Sequence, residues 1–249
     1  FPILIKFIDA RQALSIQIHP DDEYALEVEN EFGKNEMWYV VDCEPGAYLY
    51  CGLSKDTSKE EIEQRIKNNT ITDILNKIEV KPGDCVFVKA GTIHAIGAGI
   101  LICEIQQNSN CTYRMYDYDR KDKFGNKREL HIKKALDVVN VKKYIPFRKK
   151  ESEQDIDDIN KVKSYTLVSC KYFECFKYNV FGECNIKGDS ASFISIIIIS
   201  GSGEIKVDSL KNSEAEMFKA GDSFFVCAGQ KNIKIVGTAE FIVTKLARF

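Results

Sequence analysis

One eleven-residue segment occurs twice, and it limits the possible folds more than any other feature of the chain. Lys81-Pro82-Gly83-Asp84-Cys85-Val86-Phe87-Val88-Lys89-Ala90-Gly91 is echoed without a gap by Lys219-Ala220-Gly221-Asp222-Ser223-Phe224-Phe225-Val226-Cys227-Ala228-Gly229, identical at seven of eleven positions. In each copy a Gly-Asp turn feeds a short apolar strand that a second glycine closes, the pattern of one barrel hairpin used in two related barrels. Short β-branched and aromatic runs at 3–8, 14–18, 37–41, 47–50, 85–88 and 100–105 extend the antiparallel sandwich or barrel pattern. Helices are the minority. Thr57-Ser58-Lys59-Glu60 has capping-box spacing, with Ile62, Ile66 and Leu75 continuing an apolar face. Asp21 and Asp22 are expected to cap a helix over 23–29, and another helix is expected from Leu130 through Ile132, Ala135, Leu136 and Val139. A charged stretch at 148–162 reads as an exposed linker between domains at 1–147 and 163–249. The first repeat continues Thr92-Ile93-His94 and the second Gln230-Lys231-Asn232, so only the first keeps a potential ligand and the second domain is assigned to packing.

At 249 residues and 44% hydrophobic content the chain can bury a substantial core. Its net charge of −2, with both signs mixed throughout, gives no footprint for nucleic acid or an anionic membrane surface, which leaves a small molecule as the expected partner. Nine cysteines, an odd number with no C-x-x-C pair, argue against a disulfide framework or a zinc knuckle and fit the cytoplasm. The apolar run 193–199 is too short to cross a bilayer. The opening Phe1-Pro2-Ile3-Leu4-Ile5 reads as a strand in mid-stride, from which upstream sequence is expected.

Gly83 to His94 resembles the second cupin motif, with Lys89 where proline often stands. More specific are Gln17-Ile18-His19-Pro20-Asp21-Asp22, Gly33-Lys34-Asn35-Glu36-Met37-Trp38-Tyr39, Gly91-Thr92-Ile93-His94-Ala95 and the block from Glu104-Ile105-Gln106-Gln107 to Tyr118-Asp119-Arg120. In this order and spacing they resemble type I mannose-6-phosphate isomerases of the short bacterial kind, closely over roughly 1–141 and beyond that through the repeat alone. The resemblance implies a mainly β tandem cupin, a pair of jelly-roll barrels with a few short helices. It also implies one zinc ion per chain and the interconversion of mannose 6-phosphate and fructose 6-phosphate.

Gln17 and His19 lie two apart, so on a strand both side chains share a face. With His94 and Glu36 they make a mixed nitrogen and oxygen set suited to a borderline divalent ion, zinc by the resemblance. A single inward histidine is more often a hydrogen-bonded structural residue; the flanking motifs are what favour ligation here. Moving a proton between C1 and C2 of an aldose needs a base and positive charge near the developing oxyanion. The resemblance puts Arg114 in the active site, where a permanently charged guanidinium can hold the enediolate or a phosphate. Lys34 is two residues before Glu36, and an ammonium beside a divalent cation loses its proton more readily, which makes it a candidate base or phosphate contact. Glu129 and His131 are further acid-base candidates by family position, with Glu129 placed at the substrate. An iron-dependent cupin oxygenase and a non-catalytic sugar-phosphate-binding protein are the alternatives, and a monomer or weak homodimer is expected.

Overall fold

The computed structural model describes residues 1–146, 148–149, 156–157, 162–208 and 214–247. It divides into two compact units, Phe1–Lys150 and Glu151–Phe249. The fold is mainly β, with two jelly-roll-like units and three α-helices among the described residues.

The first unit runs β1 (Ile3–Ala10), β2 (Ile16–Ile18), α1 (Asp22–Glu29), β3 (Glu36–Cys43), β4 (Tyr48–Leu53), α2 (Lys59–Lys67) and a 3-10 turn (Ile71–Ile74). β5 (Leu75–Glu79), β6 (Cys85–Val88), β7 (His94–Ile96), β8 (Ile100–Gln107), β9 (Tyr113–Tyr116), α3 (Ile132–Val138) and β10 (Arg148–Lys149) follow. One sheet has the order β1-β8-β3-β6-β10 and the other β5-β4-β7-β2-β9. Between them Trp38, Val40, Val86, Val88 and Ile102 of the first sheet pack on Leu49, Cys51 and Ile96 of the second. The helices cover the far face of the second sheet, where Ile16, Ile18, Ala95, Tyr113 and Met115 meet Ile62 and Ile66 of α2 and Ala135 of α3. Burying side chains of the size of Ile62 and Ile66, 0% and 4% exposed, stabilises by about 2 kcal/mol each.

Several local expectations shift for identifiable reasons. The cap of α2 is Ser58, which accepts from the Glu61 N–H at 3.2 Å, while Thr57 donates its hydroxyl to Glu61 Oε2 at 2.7 Å. The box is therefore one residue later than the Thr57-Glu60 frame. Leu75 does not continue the helix face; it opens β5, paired with Leu53. Asp21 caps α1 through the Tyr24 N–H, but Asp22 lies inside the helix, and its Oδ1 accepts from Gly33 N–H and Gln107 Nε2. The short strands β10 and β11 (Ile156–Asp157) occupy parts of the stretch read as a linker. Residues 150–155 and 158–161 of that stretch lie outside the described residues.

In the second unit the described strands share one continuous hydrogen-bonded path, and their apolar sides enclose a single core. After β11 come β12 (Val162–Ser169), β13 (Phe173–Lys187), β14 (Ile194–Val207), β15 (Glu216–Lys219), β16 (Ser223–Val226) and β17 (Asn232–Leu246), in the order β11-β12-β13-β17-β14-β15 with β16 also on β14. The repeated segment takes the same conformation in both units. Asp84 Oδ2 accepts from the Lys81 N–H at 2.9 Å and Asp222 Oδ2 from the Lys219 N–H at 2.8 Å. Gly83 and Gly221 have φ of 91° and 89°, the left-handed region that glycine enters without a Cβ clash. Each turn docks alike, Gly83 N–H on Val40 O and Gly221 N–H on Ile198 O, both at 2.9 Å. In the first unit Glu36 is the register partner of Val88; in the second Ile194 is the partner of Val226. The equivalence thus puts Ile194 and Asn232 where the first unit has Glu36 and His94. The interior of the second unit is apolar accordingly, built on Ile194, Ile196, Ile198, Ile235, Phe241 and Val243.

Past β9, Asp117 ties down the segment that leads to α3. Its carboxylate, 6% exposed, accepts from Arg128 Nε at 2.7 Å and Nη2 at 2.5 Å, and is paired with Arg120. Burial would raise its pKa, but the hydrogen bonds from Arg128 and Arg120 outweigh that and hold it below the ordinary carboxylate value. A depressed folded-state pKa contributes stability that is present above the unfolded value near 3.9 and is lost as pH falls through the folded value. Asp117→Asn is therefore expected to cost about 2 kcal/mol at pH 7, both arginines being partly exposed. Denaturant unfolding should show this difference shrinking below about pH 4; a constant difference would mean that packing, not charge, is responsible.

Candidate metal centre

His19 follows β2, Glu36 opens β3 and His94 opens β7, so the two sheets bring three strand ends together. All three are buried, at 1%, 1% and 0% exposure. Glu36 Oε2 lies 3.4 Å from His19 Nε2, and Oε1 lies 3.3 Å from His94 Nε2. The candidate ligand atoms all fall within 4.8 Å of one another.

The tautomers follow from the outer nitrogens. His19 Nδ1 is 2.9 Å from the Cys111 carbonyl and His94 Nδ1 is 2.8 Å from the Thr92 carbonyl. A carbonyl only accepts, so each Nδ1 carries the proton and each Nε2 presents a lone pair to the centre. Burial lowers both imidazole pKa values, that of His19 to about 4, which keeps the rings neutral at physiological pH. Glu36 is held well below the usual carboxylate range: burial opposes ionisation, but the Lys34 ammonium beside it outweighs that. Both His Nε2 atoms and both Glu36 oxygens make no well-formed hydrogen bond, and among the described residues the one charge beside them is the Lys34 ammonium, 3.1 Å from Glu36 Oε2. Such buried acceptors facing each other are costly unless a cation lies between them. Bonds of 2.0–2.1 Å in a tetrahedral shell put ligand atoms roughly 3.3 Å apart, close to the spacing seen here. The residues fit a divalent ion.

Cys51 is the register partner of His94 across β4 and β7. Its thiol is pushed up to about 12 by burial and by Glu36, so it stays protonated and offers no thiolate. On the other side Gln17 pairs with His94, and Arg114 pairs with Gln17. Directly opposed residues share a face, so Cys51, His94, Gln17 and Arg114 form one inward row across the sheet. Lys34 is 6% exposed and places Nζ 3.1 Å from Glu36 Oε2. Arg114 donates Nη1 to the Glu129 carbonyl at 2.8 Å, while its Nε is buried without a partner. The Glu129 carboxylate is 83% exposed, so this residue meets the site through its main chain.

Polar residues that the sequence reading passed over complete the surroundings. Lys6 donates to Glu104 Oε1 at 2.9 Å and to Gln106 Oε1 at 2.6 Å; Trp38 Nε1 donates to Glu104 Oε2 at 3.1 Å. Gln106 is the register partner of Glu36. Glu104 and Gln106 stand two apart in a strand that opens with the apolar run 100–103, and Lys6 interrupts another apolar run; those polar positions were the available signal. The segment carrying Lys34 and Glu36 is fixed by Asn35, which takes Gln107 Oε1 with both its N–H and Nδ2 and offers Oδ1 to the Ala90 N–H. Gly33 is required there because a Cβ would meet the Asp21 backbone at 2.3 Å.

A family model described as "Mannose-6-phosphate isomerase, cupin domain" matches residues 163–246. The mannose-6-phosphate isomerase ManA of Bacillus subtilis (strain 168) is 42% identical over 99% of this chain and 75% of its own length. The mannose-6-phosphate isomerase of Streptococcus mutans is 37% identical over 98% of this chain and 74% of its own. Among solved structures, a mannose 6-phosphate isomerase from Bacillus subtilis superposes with a TM-score of 0.87 at 37% identity, covering 98% of this chain and 75% of that one. Two jelly-roll units, one with an inward His-Glu-His group, define a protein of the cupin class. The chain belongs, within that class, to the mannose-6-phosphate isomerase family.

Proposed function

We propose that this chain interconverts mannose 6-phosphate and fructose 6-phosphate, using one zinc ion held by His19, Glu36 and His94 with Gln17 as a fourth donor. The observation that carries the reading is the set of buried acceptors on His19, Glu36 and His94 that make no well-formed hydrogen bond. Two neutral imidazoles, one carboxylate and an amide oxygen suit zinc among the available divalent ions and leave room for substrate.

The reaction moves one proton from C2 to C1 and one from O2 to O1, through an enediolate, as the carbonyl shifts from C1 to C2. When bound, the ion polarises substrate oxygens and lowers the cost of the negative charge that develops on them. Arg114 carries a fixed positive charge on the same sheet face as His94 and Gln17, and its unpartnered Nε is a donor for an anionic substrate group. Lys34 supplies a second positive charge beside Glu36 and is our candidate for carrying the transferred proton. Burial of these groups among low-dielectric strands strengthens each interaction relative to water. Glu129 contributes by holding Arg114 through its carbonyl. A cytoplasmic setting fits such a sugar-phosphate substrate, and no helix among the described residues is long and apolar enough to cross a membrane.

The deciding experiment follows fructose 6-phosphate formed from mannose 6-phosphate by the purified chain, by the chelated chain, and after zinc is returned. Activity that disappears and comes back supports both substrate and metal. Tight zinc binding without isomerisation would leave the metal site standing and remove the substrate assignment.

A further inference from the structure

Arg114 sits on β9, the last strand of its sheet, where one edge has no neighbouring strand among the described residues. A residue at such an edge ordinarily leaves its N–H and C=O to water. Here both are taken by a single residue from outside the sheet. The His131 N–H donates to the Arg114 carbonyl at 2.8 Å, and His131 Nδ1 accepts from the Arg114 N–H at 3.1 Å. A true strand neighbour would use its own carbonyl as the acceptor. His131 does not, because its carbonyl is turned along α3, where it accepts from the Ala135 N–H at 2.9 Å. The ring nitrogen replaces it. His131 is the N-cap residue of α3, yet its side chain makes no cap hydrogen bond. With the Glu129 carbonyl on Arg114 Nη1, residues 129–131 hold both the main chain and the guanidinium of Arg114, and leave Nε unpartnered.

We infer that His131 is a positioning residue for Arg114, acting as a one-residue substitute strand, and that it works only as the neutral ring protonated on Nε2. This rests on the reading of Arg114 as a substrate-site residue. A proton added at Nδ1 would set N–H against N–H and release the Arg114 backbone. The ring is reachable by solvent protons, with its side chain 31% exposed and lining a surface cavity of about 280 Å³. The charged and titratable groups around it are the Glu129 carboxylate, 3.9 Å from Nε2, the Arg114 guanidinium, and, across the cavity, Glu29, Glu31, Cys111, Tyr113 and Lys134. Glu29 is already engaged by Tyr113 Oη at 2.8 Å and Lys134 Nζ at 2.7 Å. Among the described residues, none of these groups replaces Nδ1 as the acceptor for the Arg114 N–H.

The test compares His131→Leu, which removes the acceptor, with His131→Asn, whose Oδ1 accepts near the Nδ1 position and does not titrate. Both are made in the full zinc-loaded chain and assayed with mannose 6-phosphate across pH 5–9, with Arg114→Met as reference. His131→Leu is expected to lower kcat/KM about 10- to 100-fold through misplacement of Arg114, and to add nothing in the Arg114→Met background. His131→Asn should recover to within about fivefold of wild type and flatten the acid limb of its pH profile. Thermal unfolding reports whether either variant is merely misfolded. The inference is overturned if His131→Leu stays within threefold of wild type. It is also overturned if His131→Asn loses as much as His131→Leu while keeping the acid limb. If Arg114→Met itself is fully active, the fault lies instead in the role given to Arg114.

Discussion

Glu36→Gln should leave the chain folded, empty of metal after dialysis, and slower by about 10³-fold or more in kcat/KM, equivalent to about 4 kcal/mol of transition-state stabilisation. The substitution keeps the shape of the side chain and removes its charge. In the native centre the carboxylate is the only anion, facing two neutral imidazoles and the Lys34 ammonium 3.1 Å away. With glutamine there, Lys34 becomes an uncompensated buried cation, and a divalent ion would enter a pocket that is already positive. A ligand that binds only the folded state stabilises it by RT ln(1 + [L]/Kd), about 4 kcal/mol at a thousandfold excess over Kd. Zinc should therefore raise the unfolding midpoint of the wild type and leave that of Glu36→Gln almost unchanged. Elemental analysis and thermal unfolding with and without zinc check both statements. One zinc per chain in the variant, with activity within tenfold of wild type, would remove Glu36 from the metal set.

Much of this centre was readable because its residues sit beside features that physics makes local. His94 follows a repeated Gly-Asp turn whose geometry is fixed by a left-handed glycine and an aspartate bonded three residues back. The repeat also indicated a second unit without ligands, and the register explains this in packing terms: Ile194 fills the position that Glu36 occupies in the first unit. What could not be read is whatever depends on distant pairing. Lys6 meets Glu104 because β1 runs antiparallel to β8, and no local pattern joins residues so far apart in the chain. The polar clamp of Asp22, Asn35 and Gln107 is likewise assembled from three elements. Short strands were missed for a different reason. β7 has three residues and β9 four, too few for alternation to stand out, and Leu75, nine residues past Ile66 and so about half a turn off its face, belongs to β5 instead. His131 carried no signal for its contact with Arg114, since the preference for a ring nitrogen over a carbonyl arises only once α3 has claimed that carbonyl.

Lys34→Met separates charge chemistry from metal binding, and the expected result is a loss of about 10³-fold in kcat with zinc content unchanged. Methionine approximates the length of lysine and is tolerated in buried places, so the segment held by Gly33 and Asn35 should keep its course. Removing the ammonium also relieves Glu36 of a competing partner 3.1 Å from its Oε2, and zinc affinity should hold or rise. The proton that shuttles between the two sugar carbons gives a second readout. In deuterated water the wild type should incorporate solvent deuterium at the exchanging carbon, and the variant should do so more slowly in proportion to its loss of kcat. If kcat stays within tenfold and exchange continues, Lys34 is not the proton carrier. The search would then move to Lys6, whose amine bonds Glu104 and Gln106, the latter being the register partner of Glu36. A loss confined to KM would instead make Lys34 a contact for the phosphate, whose charge is the same before and after the proton moves.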